Sequence, residues 1–189
     1  MATYFARGGF GDDISTAEKR EALAQALKVL GRPLRKVLLL PPDHTRLNSD
    51  AGQLTRLLYG LLSPTTRVDI MPTLGTHSPM SEAQLRMMFG PGIPLARFKV
   101  HDWRQGIRRV GEVPGKLIRE WSGGLVDYSV RIEVSQLLFG GYDLILSVGQ
   151  IVPLEVVGMA NYTKNIVVGA GGSDIINKSH FLGAAYGME

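Results

Sequence analysis

Two features of the chain predict an α/β fold with a mostly parallel sheet. Short apolar, β-branched runs alternate with segments whose apolar residues recur every three or four positions. Polar loops rich in glycine and proline separate them, as expected where strands feed helices. The runs read as strands are 37–40, 67–71, 97–101, 143–148 and 165–168.

The helices follow in order. Ser15 and Glu18 have the spacing of a capping box, in which each side chain bonds the other's backbone N–H. Leu23, Leu27 and Leu30 then mark one helical face, and Gly31 and Pro33 end it. A second helix opens near Asp50 and carries Leu54, Leu57, Leu58, Leu61 and Leu62 up to Ser63-Pro64. A third is expected from Ser78 as N-cap and Pro79 in the first turn, running to Phe89 before Gly90-Pro91-Gly92. Residues 104–135 read as a β-rich excursion, with Val126, Tyr128, Val130 and Ile132 alternating on one face. The expected architecture is Rossmann-like: a single domain over residues 1–189 with helices on both faces of the sheet. The last residues, Phe181 to Glu189, read as helix and end without a cap, which suggests a piece of a longer protein.

Composition narrows the chemistry. The chain has 189 residues, 44% of them hydrophobic and 20% charged, the profile of a folded domain. It holds no cysteine, so disulfides and thiolate metal sites are excluded; a metal would be held by His, carboxylate or a cofactor's own sulfur. No apolar run approaches the roughly 18 residues of a membrane span, and the start lacks the apolar core of a signal peptide. The expectation is a cytoplasmic protein with no membrane partner. Net charge is +4. The densest basic group, Lys99, Arg104, Arg108 and Arg109 around Trp103, reads as a solvated edge or small-anion surface in preference to a nucleic-acid face.

In open α/β sheets ligands bind beyond the carboxyl ends of the strands. Three segments fall there. Asp43-His44-Thr45-Arg46 follows the first strand; Arg46 suits a carboxylate or phosphate and Thr45 a phosphate oxygen, although a polar turn capped by Asp43 explains the same residues. Gly75-Thr76-His77 follows the second strand and opens a helix, where the helix dipole favours a neutral imidazole suited to act as a base. The third segment places Lys164 among small and apolar residues, surroundings that can lower an ammonium pKa and make the amine nucleophilic, although a surface Lys and structural glycines explain the run almost as well. Behind it come Gly169, Gly171 and Gly172, read as letting backbone amides approach a ligand, and then Asn177-Lys178-Ser179-His180. No glycine fingerprint for a dinucleotide or ATP is present.

In this order and spacing, Asp43-His44-Thr45-Arg46, Gly75-Thr76-His77, the Lys164 segment and Asn177-Lys178-Ser179-His180 together resemble the N-terminal, cofactor-binding domain of the lactate racemase family. The resemblance spans about residues 36–189 and only the first part of a typical member. It implies a nickel-pincer nucleotide (nickel pyridinium-3,5-bisthiocarboxylic acid mononucleotide) tethered to Lys164, with His180 completing nickel coordination. It implies that Asp43, His44, Thr45 and Arg46 contact the cofactor, and that Arg46 also binds the carboxylate of a small 2-hydroxyacid. His77 matches the first of two proton-transferring histidines, which act while the α-hydride passes transiently to the cofactor. The implied activity is an isomerase, a racemase or epimerase; the implied partners are the substrate and the cofactor-building enzymes, with homo-oligomerisation left open.

Three departures accompany the resemblance. Where the family has Pro-His, this chain has Pro153-Leu154, so the second base is missing, and His44 and His101 are the imidazoles left to replace it. Leu47 stands where proline is common. The family's C-terminal domain is absent from this sequence. The alternative reading is therefore a catalytically impaired relative that binds the cofactor or an anionic metabolite.

Overall fold

The apolar run predicted as the first strand, Val37 to Leu40, is fully buried in the computed structural model and forms its central strand. The structure describes residues 3–154 and 158–186. Strand β1 (Lys36–Leu40) pairs in parallel with β2 (Arg67–Ile70) on one side and β5 (Leu144–Ser147) on the other, giving the order β2-β1-β5. A run apolar on both faces needs cover on both. Val37 and Leu39 face the cluster built by α1 (Thr16–Val29), α2 (Ala51–Leu62) and α3 (Glu82–Phe89), with Leu58, Leu62 and Phe89 at its centre. Leu38 and Leu40 face Met71, Ala170 and the partly buried Leu137, Tyr142 and Ile166. Each such side chain contributes roughly 1.5–3 kcal/mol through its removal from water.

The fold is thus mixed α/β, as the alternation of runs predicts. The Ser15–Glu18 capping box is formed, with the Ser15 N–H donating to Glu18 Oε2 at 2.9 Å. Helix α3 starts later than expected. Its N-cap is Ser81, because Gln84 three residues on supplies the reciprocal bond of a second capping box, which Ser78 and Pro79 lack.

Two expected strands are corrected. Residues 97–101 make a single bridge, Ile70 with Phe98, and Lys99 N–H donates to the Ile70 carbonyl at 2.7 Å. Leu95–Arg97 is a 3-10 turn, and the Arg97 and Lys99 side chains fold toward the buried Asp69 carboxylate, at 4.0 and 3.9 Å. Residues 165–168 are not a strand either: the first three lie in α5 (Tyr162–Val167) and Val168 caps it, with the Asn165 side chain donating to the Leu40 carbonyl at the end of β1. Its β-branched Ile166-Val167-Val168 packs against the sheet and the excursion instead.

The excursion at 104–135 is partly β. Strands β3 (Ile107–Val113) and β4 (Val130–Ser135) pair antiparallel with an irregularity between Arg109 and Gly111, and α4 (Gly115–Trp121) lies between them. Val126 and Tyr128 precede the strand and only Val130 and Ile132 alternate within it. Pro153–Leu154 (β6) and Gly158–Met159 (β7) form a short antiparallel pair, and α6 (Ser173–Tyr186) ends the described chain. The helix expected at 181–189 is therefore the end of α6, and its last three positions lie outside the described residues. No helix among the described residues is long and apolar enough to cross a membrane.

Candidate functional site

Beyond the carboxyl ends of β1, β2 and β5 lies a cavity of about 300 Å³. Asp43, Thr45, Arg46, His77, Lys164 and His180 all line it. The chain brings them there from three separate loops: the 3-10 turn His44–Ser49 after β1, the loop after β2, and the α5–α6 pair.

Asp43 is 3% exposed and caps the 3-10 turn. Its Oδ1 accepts from the Thr45 backbone N–H at 3.1 Å and from the Thr45 hydroxyl at 2.5 Å, while Oδ2 accepts from His77 Nδ1 at 2.7 Å. Burial alone would raise this carboxyl; the bonds from Thr45 and His77 outweigh it and hold the group below its ordinary range, so it is a carboxylate. An ionised carboxylate only accepts, hence Nδ1 carries a hydrogen, and in the neutral ring the lone pair lies on Nε2. The Thr45 hydroxyl hydrogen goes to Asp43 and so does not point at a phosphate. His77 itself is exposed, and it lies four residues before the cap of α3. The dipole of α3, expected to favour a neutral imidazole, acts within the first turn and does not reach His77, whose ring is held by Asp43.

His180, in the second half of α6, donates from Nδ1 to the Ile176 carbonyl one turn back, at 2.6 Å, which again leaves Nε2 as the basic nitrogen. Lys164 sits on α5, two residues after Tyr162; Asn161 and Tyr162 both have φ of +55°. For residues other than glycine such conformations cost on the order of 1–3 kcal/mol each and persist only where the surroundings impose them.

Two sequence candidates lie elsewhere. His44 is turned away from the cavity, its Nε2 2.9 Å from the Gln84 amide on α3, and its Nδ1 is buried without a partner. His101 is 2% exposed and donates from Nε2 to the Gly171 carbonyl at 2.9 Å. Neither lines the cavity, whereas Leu154 does. The glycines after Lys164 serve packing more than ligand approach. A Cβ on Gly169 would lie 2.7 Å from the Asn165 carbonyl oxygen, and one on Gly171 would lie 2.0 Å from that of Val167.

Sequence reasoning missed Asn165. It is 7% exposed, and its carboxamide donates to the Leu40 carbonyl and to Ser147 Oγ, both at 2.9 Å, while its oxygen accepts from the Thr73 hydroxyl at 2.6 Å. One side chain thereby ties the ends of β1 and β5 to the loop after β2. Its place between Lys164 and the apolar run 166–168 was the available signal.

Among the described residues no three His, Asp or Glu side chains converge as a metal cage, but one imidazole stands ready with its lone pair on Nε2.

The α/β architecture also appears in a known structure. A crystal structure of a Thermotoga maritima protein, determined as a structural-genomics target, aligns with a TM-score of 0.79 at 23% identity, over 92% of this chain and 42% of that one. The likeness is one of fold, and this chain spans less than half of that protein's length. No protein-family model matches the chain, and no curated protein does.

Proposed function

We propose that this chain is the cofactor-bearing domain of a nickel-pincer-dependent enzyme, a racemase or epimerase of a 2-hydroxyacid, similar to the lactate racemase family. The observation that carries the reading is the convergence of Arg46, the His77–Asp43 pair, Lys164 and His180 on one cavity of about 300 Å³ at the strand ends.

Each residue then has a chemical task. The exposed Arg46 guanidinium offers two parallel N–H donors to a carboxylate. His77 Nε2 takes the hydroxyl proton of the substrate, and the Asp43 carboxylate faces the positive charge that the ring gains. The Lys164 amine and His180 Nε2 hold the nickel-bearing group, which, when bound, supplies transient acceptance of the α-hydride.

A second reading is favoured by Leu154. It lines the cavity where the resemblance calls for the other base, and neither His44 nor His101 reaches the cavity to replace it. The protein on this reading binds the cofactor or an anionic metabolite with impaired turnover.

The test is intact-mass spectrometry with nickel analysis on the protein co-expressed with the family's cofactor-building enzymes. The expected result is a covalent adduct on Lys164 carrying nickel, lost in Lys164→Ala and stripped of metal in His180→Ala. A bare, nickel-free chain would remove the nickel-pincer reading and leave an anion-binding α/β domain.

A further inference from the structure

We propose that Asn165 and Ser147 are positioning residues that aim the Lys164 amine toward an anion held by Arg46. The inference rests on the reading of Lys164 and Arg46 as ligand-binding groups of this cavity, and it concerns what holds the amine in place.

The argument starts from the backbone. A lysine has a long, flexible stem, so its amine is localised only if the helix beneath it is fixed. Helix α5 has just six residues, too short to hold its own position, and it is entered through two consecutive left-handed residues, Asn161 and Tyr162. Something outside the helix must impose that geometry. The Asn161 side chain accepts from the Ser147 hydroxyl at 2.7 Å, and the same hydroxyl oxygen accepts from Asn165 at 2.9 Å. Ser147 is the last residue of β5. The bond chain Asn165–Ser147–Asn161 therefore grips α5 on either side of Lys164 and fixes both grips to the end of one strand. Asn165 continues the chain to β1 through the Leu40 carbonyl and to Thr73 beyond β2.

Packing makes the same connection. Gly149, two residues past Ser147, faces Asn161 so closely that a Cβ there would lie 3.1 Å from the Asn161 amide nitrogen. Gly169 brings the far end of α5 against Thr73, where a Cβ would lie 2.9 Å from the threonine's own. Helix α5 is thus seated on the strand ends from both sides, and the bond chain sets its rotation.

The probe is pyridoxal 5′-phosphate, which carries an aldehyde for an amine and a phosphate for a guanidinium; plain pyridoxal, lacking the phosphate, is the control. The amine and aldehyde condense to an imine with loss of water, and borohydride reduces the imine to a stable secondary amine that mass spectrometry maps. The readout is the labelling rate of Lys164 by the phosphorylated probe divided by that by pyridoxal. Unfolding would expose Lys164 to both reagents alike and lower the signal from Arg46, so each variant's melting is recorded alongside.

In the unmodified protein the ratio at Lys164 is expected to exceed that at the surface residue Lys116 by an order of magnitude or so. Ser147→Ala and Asn165→Asp are expected to bring the Lys164 ratio down about tenfold while the protein remains folded, and Ser147→Thr, which keeps the hydroxyl, to restore it. If Asn165→Asp fails to fold, Ser147→Ala carries the test. A ratio at Lys164 no higher than at Lys116 in the unmodified protein would overturn the Arg46–Lys164 reading itself. A high ratio that survives unchanged in folded Ser147→Ala would overturn the positioning role alone.

Discussion

The Asp43 carboxylate accepts the Nδ1 hydrogen of His77 at 2.7 Å, and with that single bond the ring is given one tautomer. Asn at position 43 has nearly the same shape but can donate, so it would favour the reverse tautomer, with the hydrogen on Nε2. In Asp43→Asn, ¹⁵N chemical shifts of the His77 ring at neutral pH are expected to exchange their protonated and bare nitrogens. Turnover by cofactor-loaded protein is expected to drop by roughly 10²–10⁴-fold, the scale set by other histidines held by a carboxylate. An unchanged tautomer would separate Asp43 from proton transfer.

His101 gives the stability curve a slope on its acid side. Burial lowers its pKa from the ordinary histidine value of 6.5, although the bond to the Gly171 carbonyl works the other way. The unfolded chain therefore binds the extra proton first. Stability associated with this residue is present above 6.5 and is lost as the pH falls through the folded-state value. His101→Gln keeps an N–H for Gly171 and removes the titration. Urea midpoints measured at about pH 7.5 and pH 5 are expected to separate less in the variant than in the unmodified protein. Equal separations would assign the acid loss elsewhere.

Gly171 has no room for a side chain. A Cβ would approach the Val167 carbonyl oxygen to 2.0 Å, a contact with backbone that no rotamer relieves. Gly171→Ala is expected to destabilise the fold by at least about 1–3 kcal/mol, read as a lowered urea midpoint. Gly92→Ala, with nothing within 4 Å of its Cβ, should by comparison leave the midpoint nearly where it is.

Leu154 distinguishes the two functional readings. It lines the cavity and carries no group that can move a proton. If the protein is an enzyme impaired only at this position, Leu154→His in the cofactor-loaded chain should raise interconversion of lactate enantiomers by about 100-fold or more, the usual scale of one general base. Chiral chromatography of the product mixture makes the measurement. No gain in fully loaded protein would argue that the cavity binds without turning over.

Much of this was written in the sequence as local pattern. The central strand, the leucine-rich α2 and the Ser15–Glu18 cap depend on neighbours in the chain, and each forms as its spacing predicts. The polar loops after β1 and β2 were legible for the same reason, because a parallel sheet gathers such loops at one edge. What was not legible depends on partners far away. The segment 165–168 has a β-branched composition, yet its first three residues are helical and Asn165 bonds Leu40, Thr73 and Ser147, partners far away in the chain. Likewise His44 shares a motif with Asp43, yet Gln84, forty residues later, draws it out of the cavity.

The turn from Gly169 to Gly172 joins the helix that carries Lys164 to the helix that carries His180. It is held on one side by Gly75, whose N–H donates to the Gly169 carbonyl at 2.8 Å, and on the other by β4, through Ser135 to Ala170 and Gly172 to Glu133. The span between amine-bearing and imidazole-bearing backbone is therefore settled when the chain folds. The entropy of bringing those two groups together is lost at that stage, and a ligand that needs both meets them already at a fixed separation.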